Sequence, residues 1–235
     1  DPRVVELPRL LWWLILNVGI LNIRPKRSAK AYSTVWTDRG SPLMYHTQDQ
    51  TDALRVALTQ QYGDDIVVEF AMRYGSPSID TVVDNMLQQG VRKLVVLPLY
   101  PQYCASTSAS TFDAIAQSFA KKRWIPELRF VTQYHDNEHY IKAMADKIQS
   151  YWDINGRADK LVFSYHGIPK KYLLNGDPYH CQCHKTSRLI AEALNLKDDE
   201  HFTSFQSRFG REEWLTPYTD HSLMAMPEQG VKSVQ

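Results

Sequence analysis

The chain has 235 residues, 43% hydrophobic and 23% charged, with 27 Lys and Arg against 26 Asp and Glu. This mixture excludes an intrinsically disordered chain, and a net charge of +1 gives no electrostatic support for binding nucleic acid. Three cysteines cannot close a disulfide framework, so we expect a reducing, cytoplasmic compartment. The 13 tyrosines and six tryptophans suit a site for a large planar ligand or a membrane interface.

The two ends of the chain have the pattern of a fragment. The sequence begins with Asp1-Pro2 rather than with Met, and Gly230–Gln235 reads as a strand that is only beginning. We therefore expect a chain truncated at both ends.

The first element in chain order is the apolar run Leu10–Ile23. Its length of about 14 residues is below the roughly 20 that span a bilayer, and it lacks the cleavage site of a signal peptide. Four basic residues follow it, namely Arg24, Lys26, Arg27 and Lys30. An apolar face beside cations can enter a membrane interface, and a buried helix is the alternative.

Strand and helix patterns alternate along the rest of the chain. Strands are predicted at Ile66–Met72, Leu94–Leu99, Leu128–Val131, Lys160–Ser164 and Phe202–Gln206, and helices at Ile79–Gln89, Thr111–Lys122, Glu138–Trp152 and Ser187–Leu194. This alternation indicates an α/β fold with right-handed βαβ units and parallel sheets. The pattern restarts after about Gln133, which predicts two similar halves, 1–133 and 134–235.

The ends of the predicted strands hold the candidates for chemistry, because sites on such sheets lie at the carboxyl ends of strands. His166 follows the Lys160 strand and is a candidate base or metal ligand. A structural histidine is the alternative. A serine hydrolase built on Ser164 is not favoured, because the chain has no G-x-S-x-G elbow. The stretch Ser106–Thr111 is expected to cap a helix rather than to bind an anion.

Two further groups contain metal-ligating side chains. Cys181 and Cys183, with His180 and His184, resemble a metal cluster but lack a second cysteine pair, and Cys104 is remote in sequence. His135 and His139 have the spacing of a two-histidine face. Without the glutamate of H-E-x-x-H we expect them in a solvated first helical turn.

Four ordered motifs make the chain resemble the ferrochelatases, especially those of proteobacteria. The motifs are Leu97-Pro-Leu-Tyr-Pro-Gln-Tyr103, Phe163-Ser-Tyr-His-Gly-Ile-Pro169, Gly176-Asp-Pro-Tyr179, and Phe205-Gln-Ser-Arg-Phe-Gly210 with Trp214-Leu215. The resemblance covers essentially the whole chain. It implies two Rossmann-like domains with a porphyrin cleft between them, and a lyase that inserts Fe²⁺ into protoporphyrin IX, the last step of haem biosynthesis.

The resemblance also implies roles for individual residues. His166 matches the active-site histidine, which acts as a base or as a metal ligand. The implied porphyrin contacts are Arg24, Tyr32, Ser41, Arg73, Tyr74, Tyr100, Gln206, Ser207, Arg208 and Trp214. The segment 10–23 matches the apolar lip that touches the membrane, so peripheral association with the inner membrane is expected.

Departures from the family pattern leave alternatives open. The family's first strand and its catalytic glutamate fall outside the sequence, so an inactive porphyrin-binding fragment is one alternative. A chelatase for another tetrapyrrole, such as coproporphyrin, is a second. Ala105 stands where animal members have a cluster cysteine, so we expect no iron–sulfur cluster and no permanently bound cofactor. Metal preference and oligomeric state stay open.

Overall fold

The structure is a computed structural model that describes residues 1–210 and 212–235, with Arg27 described by its backbone only. The chain forms two compact units. The first unit comprises residues 1–96 and 110–130, and the second comprises residues 97–109 and 131–235. The division of the sequence at residue 133 stays a prediction.

The first unit combines helices with one pair of parallel strands. In chain order it contains α1 (Arg9–Leu14), a π-helical segment (Ile15–Ile20), α2 (Leu21–Ser33), α3 (Pro42–Tyr62), α4 (Ile79–Gln88), β1 (Lys93–Val96), α5 (Ser110–Phe119) and β2 (Glu127–Phe130). Strands β1 and β2 pair with Leu94 opposite Leu128. A core of Ile79, Val83, Leu94, Ile115 and Phe119 joins α4 and α5 to β1.

Helix α4 shows how local sequence sets its bounds. The hydroxyl of Ser78 accepts a hydrogen bond from the Thr81 amide at 3.2 Å, which satisfies one free donor of the first turn. Ile79 and Val83 lie one turn apart and are both buried. Gly90 has φ of +89°, the conformation that favours glycine just after a helix. The predicted helix Ile79–Gln89 is therefore confirmed to within one residue.

The second unit is built around another parallel pair. It contains a π-helical segment (Ala105–Ala109), α6 (Glu138–Asn155), β3 (Leu161–His166), α7 (Lys170–Leu174), α8 (Tyr179–Ala193), β4 (His201–Gln206), α9 (Thr219–Ala225) and a 3₁₀ turn (Pro227–Gln229). Strands β3 and β4 pair from Leu161–His201 to His166–Gln206. Val234 forms a parallel bridge with Lys160, as the strand pattern of Gly230–Gln235 predicts.

These elements confirm the α/β class with parallel strands, but several predictions are wrong in detail. Ile66–Met72 is not a strand, and only Met72 forms an isolated bridge, with Ser78. The Val68 carbonyl there accepts hydrogen bonds from the Arg55 guanidinium. An apolar run indicates burial, whereas a strand also needs a neighbouring backbone to pair with.

Other differences concern element boundaries. Strand β1 ends at Val96 rather than at Leu99, and α8 begins at Tyr179, eight residues before its predicted start at Ser187. The 21-residue helix α3 has no counterpart among the predicted elements. The predicted cap Ser106–Thr111 is also wrong, because helical turns already begin at Ala105.

The apolar run Leu10–Ile23 is helical, and the buried alternative is wrong. None of its residues is buried, and Leu10, Val18 and Ile23 are each 72–75% exposed. Among the described residues, no helix combines the length and the apolar character needed to cross a bilayer.

Candidate active site

The carboxyl ends of β3 and β4 place His166 beside Gln206, since these residues are direct partners in the parallel register. The His166 side chain is exposed, and its Nδ1 lies 2.7 Å from the Gly167 carbonyl oxygen. A carbonyl oxygen can only accept, so Nδ1 carries the proton of the neutral ring. Nε2 therefore holds the free lone pair, which can accept a proton or bind a metal ion.

Gly167 brings the two strand ends into close contact. Its amide donates to the Gln206 carbonyl at 2.7 Å. A Cβ at this position would lie 2.9 Å from that same oxygen and 3.2 Å from Cε3 of Trp214. Only glycine leaves room for this approach, so its absence of a side chain sets the spacing between His166, Gln206 and Trp214.

Trp214 forms the apolar floor beside the histidine. It is 5% exposed, and its ring centroid lies 6.4 Å from that of His166 and 4.8 Å from that of Phe209. Within the described part of the chain its indole Nε1 has no hydrogen-bond partner. The structure thus brings Trp214, Gln206 and His166 together, as expected for parts of one site.

The two residues after Gln206 behave differently from each other. Ser207 is exposed with φ of +68°, a left-handed conformation that is uncommon for serine and turns the chain sharply. Arg208 stacks over the Tyr218 ring at 4.1 Å, and its Nη2 donates to Asp220 at 3.2 Å and to His221 Nε2 at 2.9 Å. The Arg208 guanidinium is therefore held against α9.

Tyr100 lies on a loop that buried amide groups attach to α8. The Gln102 side chain donates to Thr186 Oγ1 at 3.0 Å, and the Tyr103 amide donates to Gln182 Oε1 at 2.7 Å. Asp177 accepts from the amide of Ala105 at 2.7 Å. Gln102, Asp177 and Gln182 are all buried. These buried bonds fix the loop that carries Tyr100.

Sequence reasoning missed this anchoring set. Gln102 and Asp177 lie inside two of the four motifs, but the order of these motifs indicates the family and not the role of either side chain. The one local signal is that Asp177 stands just before helix α8, where a polar side chain often caps the first turn. Its carboxylate does accept a hydrogen bond from the Tyr179 amide at 3.1 Å. The long-range partners of these side chains leave no trace in the sequence pattern.

In the first unit, Arg73 and Tyr74 meet an acidic partner. The Arg73 guanidinium pairs with the Asp1 carboxylate and donates to the Ser110 hydroxyl at 2.8 Å. The Tyr74 hydroxyl donates to Asp1 at 2.9 Å. The Asp1 side chain is only 6% exposed, so this cluster ties the start of the chain to α5.

The three other porphyrin candidates of this unit lie on α2 and directly before α3. Arg24 and Tyr32 are exposed on α2, and Tyr32 contacts Trp36 edge-on at 6.4 Å. Ser41 precedes α3 with Pro42 in the first turn. Of the four cations after the apolar run, the Arg27 side chain lies outside the described residues.

The cysteines of α8 do not share one side of the helix. Cys181 is exposed whereas Cys183 is fully buried beside Cys104 in the core. Burial raises the pKa of Cys104 to about 11 and raises that of Cys183 as well. Burial thus favours the protonated thiol form of both cysteines. Among the described residues, no group of three or more His, Cys, Asp or Glu could hold a metal ion.

The histidine pair His135 and His139 is not a solvated helical turn. Helix α6 begins at Glu138, after His135, and its amides cap on Asn137. His135 is 5% exposed, and burial lowers its pKa. His139 is exposed, so the two rings lie in different environments.

A cavity of about 460 Å³ also lies in the second unit, lined among others by Lys160, Phe202 and Met226, and by Tyr218 and His221, which contact Arg208. Lys160 directly precedes β3, and Phe202 lies near the amino end of β4. Sites on parallel sheets form at the opposite, carboxyl ends. His166 and Gln206 therefore mark the better candidate site.

A ferrochelatase family model matches residues 1–235. The chain belongs to the ferrochelatase family. Over all of its length it is 68% identical to the ferrochelatase of Idiomarina loihiensis and 66% identical to that of Pseudoalteromonas atlantica, and it spans 65% of each of these proteins. It is 62% identical to the ferrochelatase of Marinobacter nauticus, of which it spans 63%.

A solved structure supports the fold. SirB from Bacillus subtilis with Fe3+ matches with a TM-score of 0.55 at 15% identity, covering 77% of this chain and 66% of that one. The match confirms that the chain shares the α/β fold of that protein. Together with family membership, it confirms the resemblance drawn from the four motifs.

Proposed function

We propose that the protein to which this chain belongs is a lyase that inserts Fe²⁺ into protoporphyrin IX to form haem. Family membership supports this activity, and one structural observation carries it. His166 stands at the carboxyl end of β3 opposite Gln206, with its Nδ1 proton directed at the Gly167 carbonyl. The Nε2 lone pair is thereby left for chemistry.

The reaction needs a group with this property. Metal insertion removes two protons from pyrrole nitrogens, and a neutral imidazole can accept one of them. The same lone pair could instead bind Fe²⁺, which accepts nitrogen ligands. One nitrogen cannot do both at once, so His166 serves as base or as ligand at any given moment.

The porphyrin contacts are proposed from membership of the ferrochelatase family. Arg24 would pair with a propionate, with Tyr32 and Ser41 beside it on the first unit. Tyr74, Tyr100, Gln206, Ser207 and Trp214 would line the ring. Arg73 and Arg208 would act indirectly, since the carboxylates of Asp1 and Asp220 already pair with their guanidinium groups.

A metal-insertion assay with a matched control tests the activity. Zn²⁺ insertion into protoporphyrin is followed by porphyrin fluorescence for the chain, for His166→Asn and for His139→Asn, which changes an exposed histidine on α6. We expect turnover by the chain and by His139→Asn, and loss of turnover in His166→Asn.

Three other outcomes would contradict parts of the proposal. Porphyrin binding without turnover in all three proteins would support the binding-only alternative for this chain. Faster insertion into coproporphyrin than into protoporphyrin would support the other tetrapyrrole. Equal turnover with and without His166 would remove the proposed role of this residue.

We further propose that the helical segment 10–23 docks on the inner membrane from the cytoplasmic side. Leu10, Leu14 and Val18 follow each other at four-residue spacing and are all exposed, which makes an apolar stripe. Arg24 and Lys30 follow on α2, where they could meet anionic lipid. Free cysteines throughout the chain suit a reducing compartment.

Co-sedimentation with vesicles containing phosphatidylglycerol tests this docking. Burial of a Val or Leu side chain contributes about 1.5–3 kcal/mol, so Val18→Asp should weaken partitioning on the order of tenfold or more. Val56→Asp changes an equally aliphatic and 58% exposed residue on α3 and should leave partitioning unchanged. Equal losses in both variants would contradict a specific role for the segment 10–23.

A further inference from the structure

Helix α8 presents two imidazoles side by side. His180 and His184 are four residues apart, so they lie one above the other on one face of the helix. Their ring centroids are 4.5 Å apart. Both residues are partly exposed.

The Phe205 ring contacts both imidazole rings. The His180 ring stacks on Phe205 with a centroid separation of 5.5 Å and an interplanar angle of 21°, and the His184 ring contacts it at 5.8 Å. Phe205 itself is 1% exposed and belongs to the core. A rigid aromatic support reduces the conformational freedom that the two imidazoles would lose on binding a ligand.

This face is not the face that carries His166. Successive side chains of a strand point to opposite faces of the sheet. Phe205 therefore faces α8, whereas its neighbour Gln206, the register partner of His166, faces the other way. A ligand on His180 and His184 would thus not be shared with His166.

We propose that His180 and His184 form a bidentate site for a borderline divalent transition metal, with Zn²⁺ as its simplest probe. Two imidazole nitrogens on adjacent turns suit such ions, which accept nitrogen ligands about 2.0–2.1 Å away. Within the described chain no third His, Cys, Asp or Glu joins the pair, so water completes the coordination sphere. A site with open positions exchanges its metal and does not hold the fold together.

Calorimetric titration of the whole chain with Zn²⁺ alone, without porphyrin, tests this inference independently of the proposed enzyme activity. Removing an outer partner of a metal ligand lowers metal affinity roughly 10- to 100-fold. His180→Asn and His184→Asn each remove a ligand itself, so each should weaken the proposed Zn²⁺ binding by at least that factor. His139→Asn and His166→Asn should leave that event unchanged. Loss in His166→Asn, or equal binding in all variants, would overturn the proposal.

A second measurement guards against variants that merely fold poorly. A metal that binds only the native state raises the unfolding midpoint. Zn²⁺ should raise the urea midpoint of the chain and of His139→Asn, but raise it less in the double variant His180→Asn/His184→Asn. An equal rise in the double variant would place the metal elsewhere and refute the site.

Discussion

Replacing Gly167 by alanine tests the close approach that spaces the candidate site. The added Cβ would lie 2.9 Å from the Gln206 carbonyl oxygen, a backbone atom, and 3.2 Å from Cε3 of the buried Trp214. Relaxed C···O contacts start near 3.3 Å and C···C contacts near 3.5 Å, so both neighbours must retreat by about 0.3–0.4 Å. Such overpacking costs about 1–3 kcal/mol.

The same displacement weakens the hydrogen bond from the Gly167 amide to the Gln206 carbonyl, now 2.7 Å long. A bond of this kind contributes about 0.5–1.5 kcal/mol net. We therefore expect Gly167→Ala to lower the free energy of unfolding by about 1.5–4.5 kcal/mol. Insertion activity should fall with it, because His166 and Gln206 are spaced by this contact.

Urea unfolding measures the effect, and Gly19→Ala is the matched control. Gly19 lies in the helical segment Ile15–Ile20, and a methyl group added there would have no neighbouring atom within 4 Å, so the same substitution meets open space. In a helix it should raise stability by about 0.5–1 kcal/mol. Equal midpoints for the two variants would refute the steric argument.

Three other predictions follow from buried polar groups and thiols. Asp177→Ala should lower the free energy of unfolding by about 1–3 kcal/mol for each of the two amides, of Ala105 and Tyr179, that it leaves unpaired. Urea unfolding measures this change, and an unchanged midpoint would contradict the anchoring role. Iodoacetamide at pH 8 should modify only Cys181 in the native chain and all three cysteines in urea, since burial raises the pKa of Cys104 to about 11. Mass spectrometry counts the adducts, and a second adduct on the native chain would contradict the burial of Cys104 and Cys183. Burial lowers the pKa of His135 below its ordinary value of about 6.5, so the unfolded chain takes up that proton first and stability is lost as the pH falls below about 6.5. The free energy of unfolding of His135→Gln should therefore fall less steeply between pH 7 and 5 than that of the unchanged chain. An equal dependence on pH in both proteins would contradict this.

Regular local patterns predicted strands β1 to β4 and helices α4, α5, α6 and α8, but not α3, α7 or α9. Helices α4 and α6 begin at their predicted residues, because a polar cap and an apolar period of about 3.6 are properties of neighbouring residues. Strands β2 and β4 agree with prediction to within one residue at each end. Pairing was harder to predict, and the apolar run Ile66–Met72 shows why, since a strand exists only where another backbone completes it.

The candidate site divides in the same way. The sequence placed His166 and Gln206 after two separate predicted strands, and the structure shows that these strands pair with the two residues as direct partners. They did not reveal that Asp1 pairs with Arg73, 72 residues away, or that Asp177 anchors the loop before α5. Such contacts depend on side chains that are distant in sequence.

The sequence by itself therefore determined the family, the α/β class and the histidine at the end of β3, because motif order and local periodicity are written in neighbouring residues. Only the tertiary structure decided which apolar side chains stay exposed on Leu10–Ile23 and which cysteine of α8 is buried. It also decided that His180 and His184 rest together on Phe205. The physical reason is that burial and side-chain contact depend on the elements packed against a residue, and these come from elsewhere in the chain.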